Sequence, residues 1–336
     1  MPPRTAIIAL TKGGKQLARH LATLLPGSYV FPCQEGIYRT LKQAWQDCDN
    51  LICIMAAGIV VRGIAPLLHD KTVDPAVVIC DEQGRFAVSL LSGHLGGGNA
   101  LTEKVADLLG AQAVITTASD VLGRTALDLW CRDTGLVVTD KQGLTRVMTK
   151  LVNTGSISLY SEYPLPPLPS DIILSADSAA ADLLITCRTE RTEQKGRTVL
   201  LHPKALTVGI GCKRNTPSEE ISEALDHAFR VHHLARASVR KLASIDLKSD
   251  EPGLLAFAGS QNLRLNFYSA EQLNQVEGTA SSTAVLRATG AKAVAEPAAI
   301  LSADKGTLLV QKMKFSNVTI AIAEIRQPFS CACSTE

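Results

Sequence analysis

The 336-residue sequence predicts an α/β protein: an N-terminal domain on a parallel sheet, a small variable middle region, and a C-terminal α/β domain with a mixed sheet. Short apolar runs alternate with amphipathic stretches, and this alternation restarts at Ala205. The runs are apolar on both sides, as in a sheet that helices cover on both faces. We place the segments at 1–138, 139–204 and 205–328, followed by a tail at 329–336.

The N-terminal domain shows the alternation most clearly. TAIIAL precedes a helix from Gly13 to Leu25, SYVFP precedes GIYRTLKQAWQDC, and NLICIMA precedes GIVVRGIAPLL. AVVIC then leads through a turn at residues 81–84 into FAVSLL, and a helix beginning near Gly97 leads to QAVITT. Because parallel α/β sheets bind ligands beyond the carboxyl ends of their strands, we expect the peptide after Leu91 to line a crevice.

The other two segments give different signals. The middle region is less regular, and its EYPLPPLPS stretch, with four prolines in nine residues, predicts an extended connector. The third segment restarts as strand, glycine-rich turn and helix, with Thr216 as a predicted N-cap and Pro217 at the first helical position. TLLVQKMKFSNVTIAIAEI predicts an antiparallel hairpin about residues 316–317.

Composition narrows the functional classes. A net charge of +2 and an aromatic content of 4% argue against a nucleic-acid-binding protein. The apolar runs are too short for a signal peptide or a membrane span, so we expect a cytoplasmic protein that does not bind membranes. Nine scattered cysteines favour reduced thiols. Neither Cys331 and Cys333 nor His232 and His233 have the further ligands that a metal site needs, so no metal is predicted.

The stretch from Ser89 to Gly110 contains the strongest local signal. A strand ends in Ser92-Gly93-His94, and three glycines follow directly before a helix. Glycines at such a junction let a ligand approach the backbone, and the helix start offers N–H groups to an anion. The residues suited to this role are Gly96, Gly97, Gly98 and Asn99. A tight structural turn is the alternative, and the spacing matches neither common nucleotide-binding loop.

His94 is the candidate proton acceptor in this crevice, because an exposed imidazole titrates near neutrality. A structural hydrogen-bonding role is the alternative, and no Gly-x-Ser-x-Gly motif supports a serine hydrolase. Other strand ends carry polar groups, including charges of both signs, which fits a polyanionic small molecule and a chemical step. These residues are Arg62, Lys71, Asp74, Thr116, Thr117, Asp120, Arg124, Lys213, Arg214, Asp246, Lys248, Asp250 and Glu251. Helix capping alone would explain Asp250 and Glu251.

Three stretches, MAAGIVVRGIAP, DPAVVICDEQGRFAVSLLSGHLGGGNALTEKVADLLGAQAVITTASD and LTVGIGCKRNTPSEEISEAL, closely resemble the cobalt-precorrin-5A hydrolases of anaerobic cobalamin synthesis. The resemblance extends over nearly the whole chain. It implies that a δ-lactone of cobalt-precorrin-5A is opened and that the extruded carbon leaves as acetaldehyde, which gives cobalt-precorrin-5B. It also implies no cofactor, since the substrate carries the cobalt.

The resemblance does not itself single out a catalytic base, so the following roles are our hypothesis for the implied reaction. His94 is the candidate base, Asp120 or Glu82 would orient or replace it, and backbone N–H groups of Gly96, Gly97 and Gly98 would stabilise an oxyanion. The carboxylates of the anionic tetrapyrrole would pair with the basic residues. The expected binding residues are Arg62, Lys71, Ser92, Gly96, Gly97, Gly98, Asn99, Thr116, Thr117, Arg124, Lys213, Arg214 and Glu251.

Two other functions stay open at this point. Two strand–glycine–helix units are compatible with a nucleotide-dependent oxidoreductase, and the C-terminal domain is compatible with a non-catalytic carrier of a corrinoid intermediate. NAD(P) binding would identify the first, and the lack of acetaldehyde release would identify the second. A homodimer and direct contacts with neighbouring pathway enzymes are both compatible with the sequence.

Overall fold

The computed structural model describes residues 3–33, 36–70, 73–189, 198–279 and 282–329. The chain forms two compact units, residues 1–130 and residues 131–336, which we call the N-terminal and C-terminal units. The α/β fold class is confirmed in both. The finer division at 138 and 204 stays a prediction. Among the described residues, no helix is both long enough and apolar enough to span a bilayer.

The N-terminal unit is built on one six-stranded sheet of order β2-β1-β3-β4-β5-β6. The strands are β1 (Thr5–Ala9), β2 (Ser28–Val30), β3 (Asn50–Ile54), β4 (Ala76–Cys80), β5 (Phe86–Leu91) and β6 (Gln112–Val114). The helices are α1 (Lys12–Leu24), α2 (Ile37–Asp47), α3 (Ala57–Ile64), α4 (Gly98–Leu109), α5 (Ala118–Val121) and α6 (Leu127–Asp133), which runs across the unit boundary.

Alternate residues of the central strands enter two separate cores, one on each face of the sheet. Ile8 packs in a cluster with Leu41 of α2, and Ile7 packs in a cluster with Leu21 of α1 and Val105 of α4. Strand side chains alternate between faces with a period of two, so a strand covered on both sides must be apolar throughout. This is why β1 reads TAIIA and is buried along its whole length.

The direction of β5 is the exception in the predicted parallel sheet. Strands β2, β1, β3 and β4 are parallel, whereas β5 is antiparallel to β4 and β6 is parallel to β5. The connection between β4 and β5 is only residues 81–85, which is too short for a parallel crossover. The loop after Leu91 therefore lies beyond the carboxyl ends of β5 and β6, at the edge where β3 and β4 begin.

The C-terminal unit contains two five-stranded sheets. The first falls in the region that the sequence predicts to be irregular, and it has the order β7-β11-β10-β8-β9. Its elements are β7 (Val137–Val138), α7 (Lys141–Thr154), β8 (Ile157–Ser161), β9 (Ile172–Leu174), β10 (Leu183–Ile185) and β11 (Val199–His202). Strands of two to five residues are too short to give a clear periodic pattern, so the sequence did not reveal this sheet.

The second sheet has the order β14-β13-β12-β16-β15 and is mixed, as predicted. The predicted hairpin is confirmed, since its two strands pair antiparallel. Helix α8 begins at Ser218 with Pro217 as its N-cap residue, one position later than predicted. The elements are β12 (Leu206–Cys212), α8 (Ser218–Val231), β13 (Val239–Ile245), α9 (Pro252–Ser260), β14 (Arg264–Tyr268), α10 (Ala270–Asn274), α11 (Thr283–Thr289), α12 (Ala295–Ser302), β15 (Thr307–Lys314) and β16 (Val318–Glu324).

The seven cysteines in the described residues are free, which confirms the prediction of reduced thiols for them. Burial raises the pKa of the Cys53 and Cys80 thiols to about 12, so both stay protonated and unreactive. Cys331 and Cys333 lie outside the described residues.

Candidate active site

The loop between β5 and α4 folds back on the end of its own strand. A Cβ at Gly96 would lie 2.5 Å from Ser92 Cβ, and a Cβ at Gly98 would lie 2.7 Å from Leu91 O. Gly97 has a φ of +80°, in the left-handed region that glycine adopts without strain. Ser92 also has a positive φ, and its hydroxyl donates to Asp74 O at 2.9 Å. Close packing of the loop therefore accounts for these glycines.

The loop already uses most of its backbone donors. Gly97 N–H donates to His94 O at 2.8 Å, and Gly98 N–H donates to Ser92 O at 3.0 Å. These two groups are not the free oxyanion donors that the sequence predicted. Within the described residues, no acceptor is found for Gly96 N–H. It is the one donor of the three glycines that remains available to a ligand in the described structure.

The turn holds His94 between two carboxylates that come from the next elements of the chain. Asp120 Oδ2 on α5 lies 2.8 Å from His94 Nε2, and Asp128 Oδ1 on α6 lies 3.4 Å from His94 Nδ1. The exposed fractions of the side chains are 38% for Asp120, 10% for His94 and 9% for Asp128. Asp120 is therefore the solvent-exposed member of the three, and His94 and Asp128 are both largely buried.

Asn99 fixes the outer carboxylate. Its Nδ2 donates to Asp120 Oδ2 at 3.2 Å and to Thr117 Oγ1 at 3.1 Å, while its Oδ1 accepts from Ser89 Oγ at 2.7 Å. The Asn99 side chain is buried. Its amide is thus engaged in holding Asp120, and the predicted direct contact with substrate gains no support from this geometry.

The two carboxylates change the proton affinity of the histidine. Hydrogen bonding to Asp128 is the largest cause that raises the pKa of His94 to about 9; hydrogen bonding to Asp120 adds to it, and partial burial opposes it. His94 is therefore protonated at neutral pH. Only a neutral imidazole accepts a proton, so this pKa argues against the predicted role of His94 as general base.

A protonated histidine beside an exposed carboxylate provides a proton donor and a proton acceptor within 3 Å of each other. Ser119 also lies near, with Oγ 3.2 Å from His94 Nε2, so Ser119, His94 and Asp128 have the order of a catalytic triad. Asp120 lies closer to the same nitrogen, however, so the protonated Nε2 donates its hydrogen bond to Asp120. This arrangement favours direct activation of water over a serine nucleophile.

The structure separates Glu82 from this cluster. Glu82 lies against Gly13 at the start of α1, in the turn before β5, whereas His94 follows the other end of that strand. Six residues of β5 span roughly 17 Å. Glu82 therefore does not reach His94, and its predicted role as orienter or substitute is not supported.

The predicted basic residues of the N-terminal unit have different environments. Arg62 is exposed, and its Nη1 donates to Gly58 O of its own helix. Arg124 follows the Asp120 helix, its backbone N–H donates to Ser119 O at 2.7 Å, and its buried Nε has no partner among the described residues. Thr116 is exposed between β6 and α5. Lys71 lies outside the described residues.

A cleft of about 690 Å³ opens along the same edge of the N-terminal sheet. Gly96 and Gly97 form one side of it, Trp45 lies in its lining, and Lys104 of α4 contributes a positive charge. Asp49 and Asp74 also line the cleft. This cleft is large enough for part of a macrocycle or for a small ligand.

The C-terminal unit has a second polar cluster, at the carboxyl ends of β12 and β13. Arg214 pairs with Asp250 and lies 3.7 Å from Glu251 Oε2, and Lys248 Nζ lies 3.3 Å from the same oxygen. Glu251 Oε1 accepts from Asn215 N–H at 2.6 Å. Glu251 is 0% exposed, so it stabilises this loop and does not present its carboxylate to a ligand, contrary to the prediction. Lys213 is exposed.

In the described part of the chain, no three histidine, cysteine, aspartate or glutamate residues are grouped as a metal site would require. The described residues therefore supply acid–base chemistry at His94 and no ligand set for a metal.

Sequence reasoning brought His94 and Asp120 together correctly but missed Asp128 and Ser119. Asp128 lies eight residues after Asp120, in the first turn of α6, where an acidic residue is favourable for the helix alone and gives no sign of a functional role. Only the packing of α6 against the His94 loop shows its function.

Family models match two parts of the chain, cobalamin synthesis G N-terminal at residues 39–120 and cobalamin synthesis G C-terminus at residues 206–323. The curated cobalt-precorrin-5A hydrolase of Priestia megaterium is 35% identical over 95% of this chain and 94% of its own length. The curated cobalt-precorrin-5A hydrolase of Salmonella typhimurium is 32% identical over 96% of this chain and 97% of its own length. Protein CobE of a Sinorhizobium species is 36% identical over 35% of this chain and 79% of its own. With relatives this similar along almost its whole length, the chain belongs to the cobalamin synthesis G family.

Proposed function

We propose that this protein is a cobalt-precorrin-5A hydrolase. It opens the δ-lactone of cobalt-precorrin-5A and releases the extruded carbon as acetaldehyde, giving cobalt-precorrin-5B. The observation that carries this proposal is the His94–Asp120 pair, an acid and a base 2.8 Å apart in the N-terminal unit of a chain whose curated relatives bear this name.

Lactone hydrolysis makes two demands on a protein. A water molecule must lose a proton as it attacks the carbonyl carbon, and the oxygen that leaves must gain one. Asp120 is exposed to solvent, and the protonated His94 is next to it. Gly96 N–H adds a backbone donor close to this pair for the oxyanion that forms on the carbonyl oxygen.

The substrate carries several carboxylates, so binding requires cations. Arg124 is the strongest candidate, because it directly follows the Asp120 helix and its Nε is buried without a partner in the described structure. Lys104 in the cleft, Arg62 and Lys213 are exposed and accessible. Arg214 is already paired with Asp250, so it would have to exchange one carboxylate for another.

No cofactor is part of this proposal. Hydrolysis of a lactone transfers protons and no electrons, and the cobalt arrives with the substrate. A homodimer, transfer of substrate from neighbouring enzymes and a cytoplasmic location remain predictions from the sequence.

The test is acetaldehyde release. Purified protein is incubated with cobalt-precorrin-5A without NAD(P), ATP or added metal, and the aldehyde is trapped as a hydrazone and counted against the substrate consumed. We expect one acetaldehyde per corrinoid, a rate about a hundredfold lower for His94→Gln, and an unchanged rate for His20→Gln, an exposed histidine on α1. Binding without aldehyde would show a carrier instead, and a strict need for NAD(P) would show an oxidoreductase; either result overturns the proposal.

A further inference from the structure

Both ring nitrogens of His94 face groups that accept hydrogen bonds. Nε2 faces Asp120 Oδ2 at 2.8 Å and Nδ1 faces Asp128 Oδ1 at 3.4 Å. An ionised carboxylate can only accept, and a neutral imidazole has one N–H and one lone pair. A neutral ring would therefore direct its lone pair at one of the carboxylates, whereas the imidazolium donates to both.

We propose that Asp128 is a positioning residue that keeps His94 doubly protonated, so that His94 donates a proton to the leaving oxygen of the lactone while Asp120 accepts one from water. This inference rests on the proposed function. It reverses the usual assignment for a histidine in a hydrolase, in which the imidazole is the base and the carboxylate only orients it.

The groups around His94 support this division. The charged side chains that act on it are Asp128 from α6 and Asp120 from α5, and the neutral neighbour is Ser119. Asp128 lies 3.4 Å from Nδ1, whereas Nε2 contacts Asp120, the most exposed of the three groups at 38%. A buried carboxylate stabilises the cation more strongly than one in water, because less solvent screens the pair.

The proposed step balances without any further reactant. The water oxygen forms a bond to the lactone carbonyl carbon, and the water proton moves to the Asp120 carboxylate. The bond between the carbonyl carbon and the ring oxygen breaks, its electron pair stays on that oxygen, and the oxygen takes the Nε2 proton of His94. Asp120 is then protonated and His94 neutral, and a proton transfer across their 2.8 Å contact restores the starting state.

The variant Asp128→Asn tests this role, because it preserves shape and removes the charge. The pKa of His94 is about 9 in the native protein, and loss of the Asp128 charge should lower it toward the ordinary imidazole value. If protonated His94 is the acid, kcat/KM of the variant should be about tenfold below the native value at pH 8 and nearly equal to it at pH 6. Asp133→Asn, a change at an exposed carboxylate on the same helix, should leave the pH profile unchanged.

Other outcomes would overturn the proposal. If Asp128 only supports the fold, the loss of activity would be the same at pH 6 and pH 8. If His94 were the general base, Asp128→Asn would raise activity near pH 7, because more of the imidazole would be neutral. If the native protein released no acetaldehyde, the proposed function itself would be wrong.

A measurement without substrate keeps the inference falsifiable even if Asp128→Asn folds poorly. The imidazole ¹⁵N resonances of the native protein can be titrated, with the signal of His94 assigned by its loss in His94→Gln. We expect both nitrogens to carry protons up to about pH 8. Loss of a proton near pH 6.5 in the native protein would overturn the inference whatever the variants show.

Discussion

The His94 cluster should make the stability of the N-terminal unit depend on pH, in a direction that the pKa shift fixes. The pKa of His94 rises from 6.5 to about 9 on folding. The folded protein thus binds this proton more tightly than the unfolded chain does. The resulting stabilisation is complete below pH 6.5 and is lost as the pH rises through 9.

The size of the effect follows from the two pKa values. They differ by about 2.5, and each pKa unit corresponds to about 1.4 kcal/mol, so the proton contributes roughly 3 kcal/mol at most. His94→Gln removes the titrating group. Between pH 6 and pH 9.5, the free energy of unfolding of the native protein should fall by roughly 3 kcal/mol more than that of His94→Gln.

Tryptophan fluorescence in denaturant provides the assay, because both tryptophans of the chain, Trp45 and Trp130, lie in the N-terminal unit. The free energy of unfolding is measured against pH for the native protein, His94→Gln and His20→Gln. His20→Gln should follow the native curve, since His20 is exposed and remote in sequence from the cluster. Parallel curves for the native protein and His94→Gln would refute the electrostatic reasoning.

Three further predictions address neighbouring groups. Ser119→Ala should keep kcat within about threefold of native, because His94 Nε2 donates to Asp120 and not to Ser119. A loss of a thousandfold or more would show a serine nucleophile. Arg124→Ala should raise KM about tenfold, as expected for one charge-assisted contact, with little change in kcat, while equal KM values for Arg124→Ala and native protein would place the carboxylates elsewhere. Glu251→Gln should lower the free energy of unfolding of the C-terminal unit by about 3 kcal/mol, because it leaves Lys248 without its buried partner. Asp250→Asn at an exposed position (71%) should cost much less, and similar losses for the two would contradict the buried role of Glu251.

Much of the fold follows from local patterns. The strands TAIIA and AVVIC are buried throughout and the helices between them are amphipathic, so their order along the chain predicts the sheet. The direction of β5 was also encoded, since a short turn at residues 81–85 permits only an antiparallel neighbour, but alternation alone does not show it. The short strands of the middle region carry no such pattern, and their sheet depends on tertiary contacts.

In the candidate site, too, some residues are placed by local sequence patterns and others by tertiary packing. His94 and Asp120 each follow a strand. Because β5 and β6 are parallel neighbours, the two residues lie at the same edge of the sheet, and their side chains are in contact. Asp128 comes from a helix whose packing the sequence does not specify, and its hydrogen bond is the largest cause that raises the pKa of His94. The sequence thus predicted the place of His94 beside Asp120, whereas its proposed role as an acid depends on the contact with Asp128.

The central claim is that water activated beside His94 opens the lactone at its carbonyl carbon. Turnover of cobalt-precorrin-5A in ¹⁸O-water, with mass spectrometry of the corrinoid product, tests it most directly. The account predicts one ¹⁸O atom in the newly formed carboxylate of the product, and label and acetaldehyde should both be lost together in His94→Gln. An unlabelled carboxylate formed along with acetaldehyde would show that the lactone opens by cleavage on the other side of its oxygen, and would contradict the account.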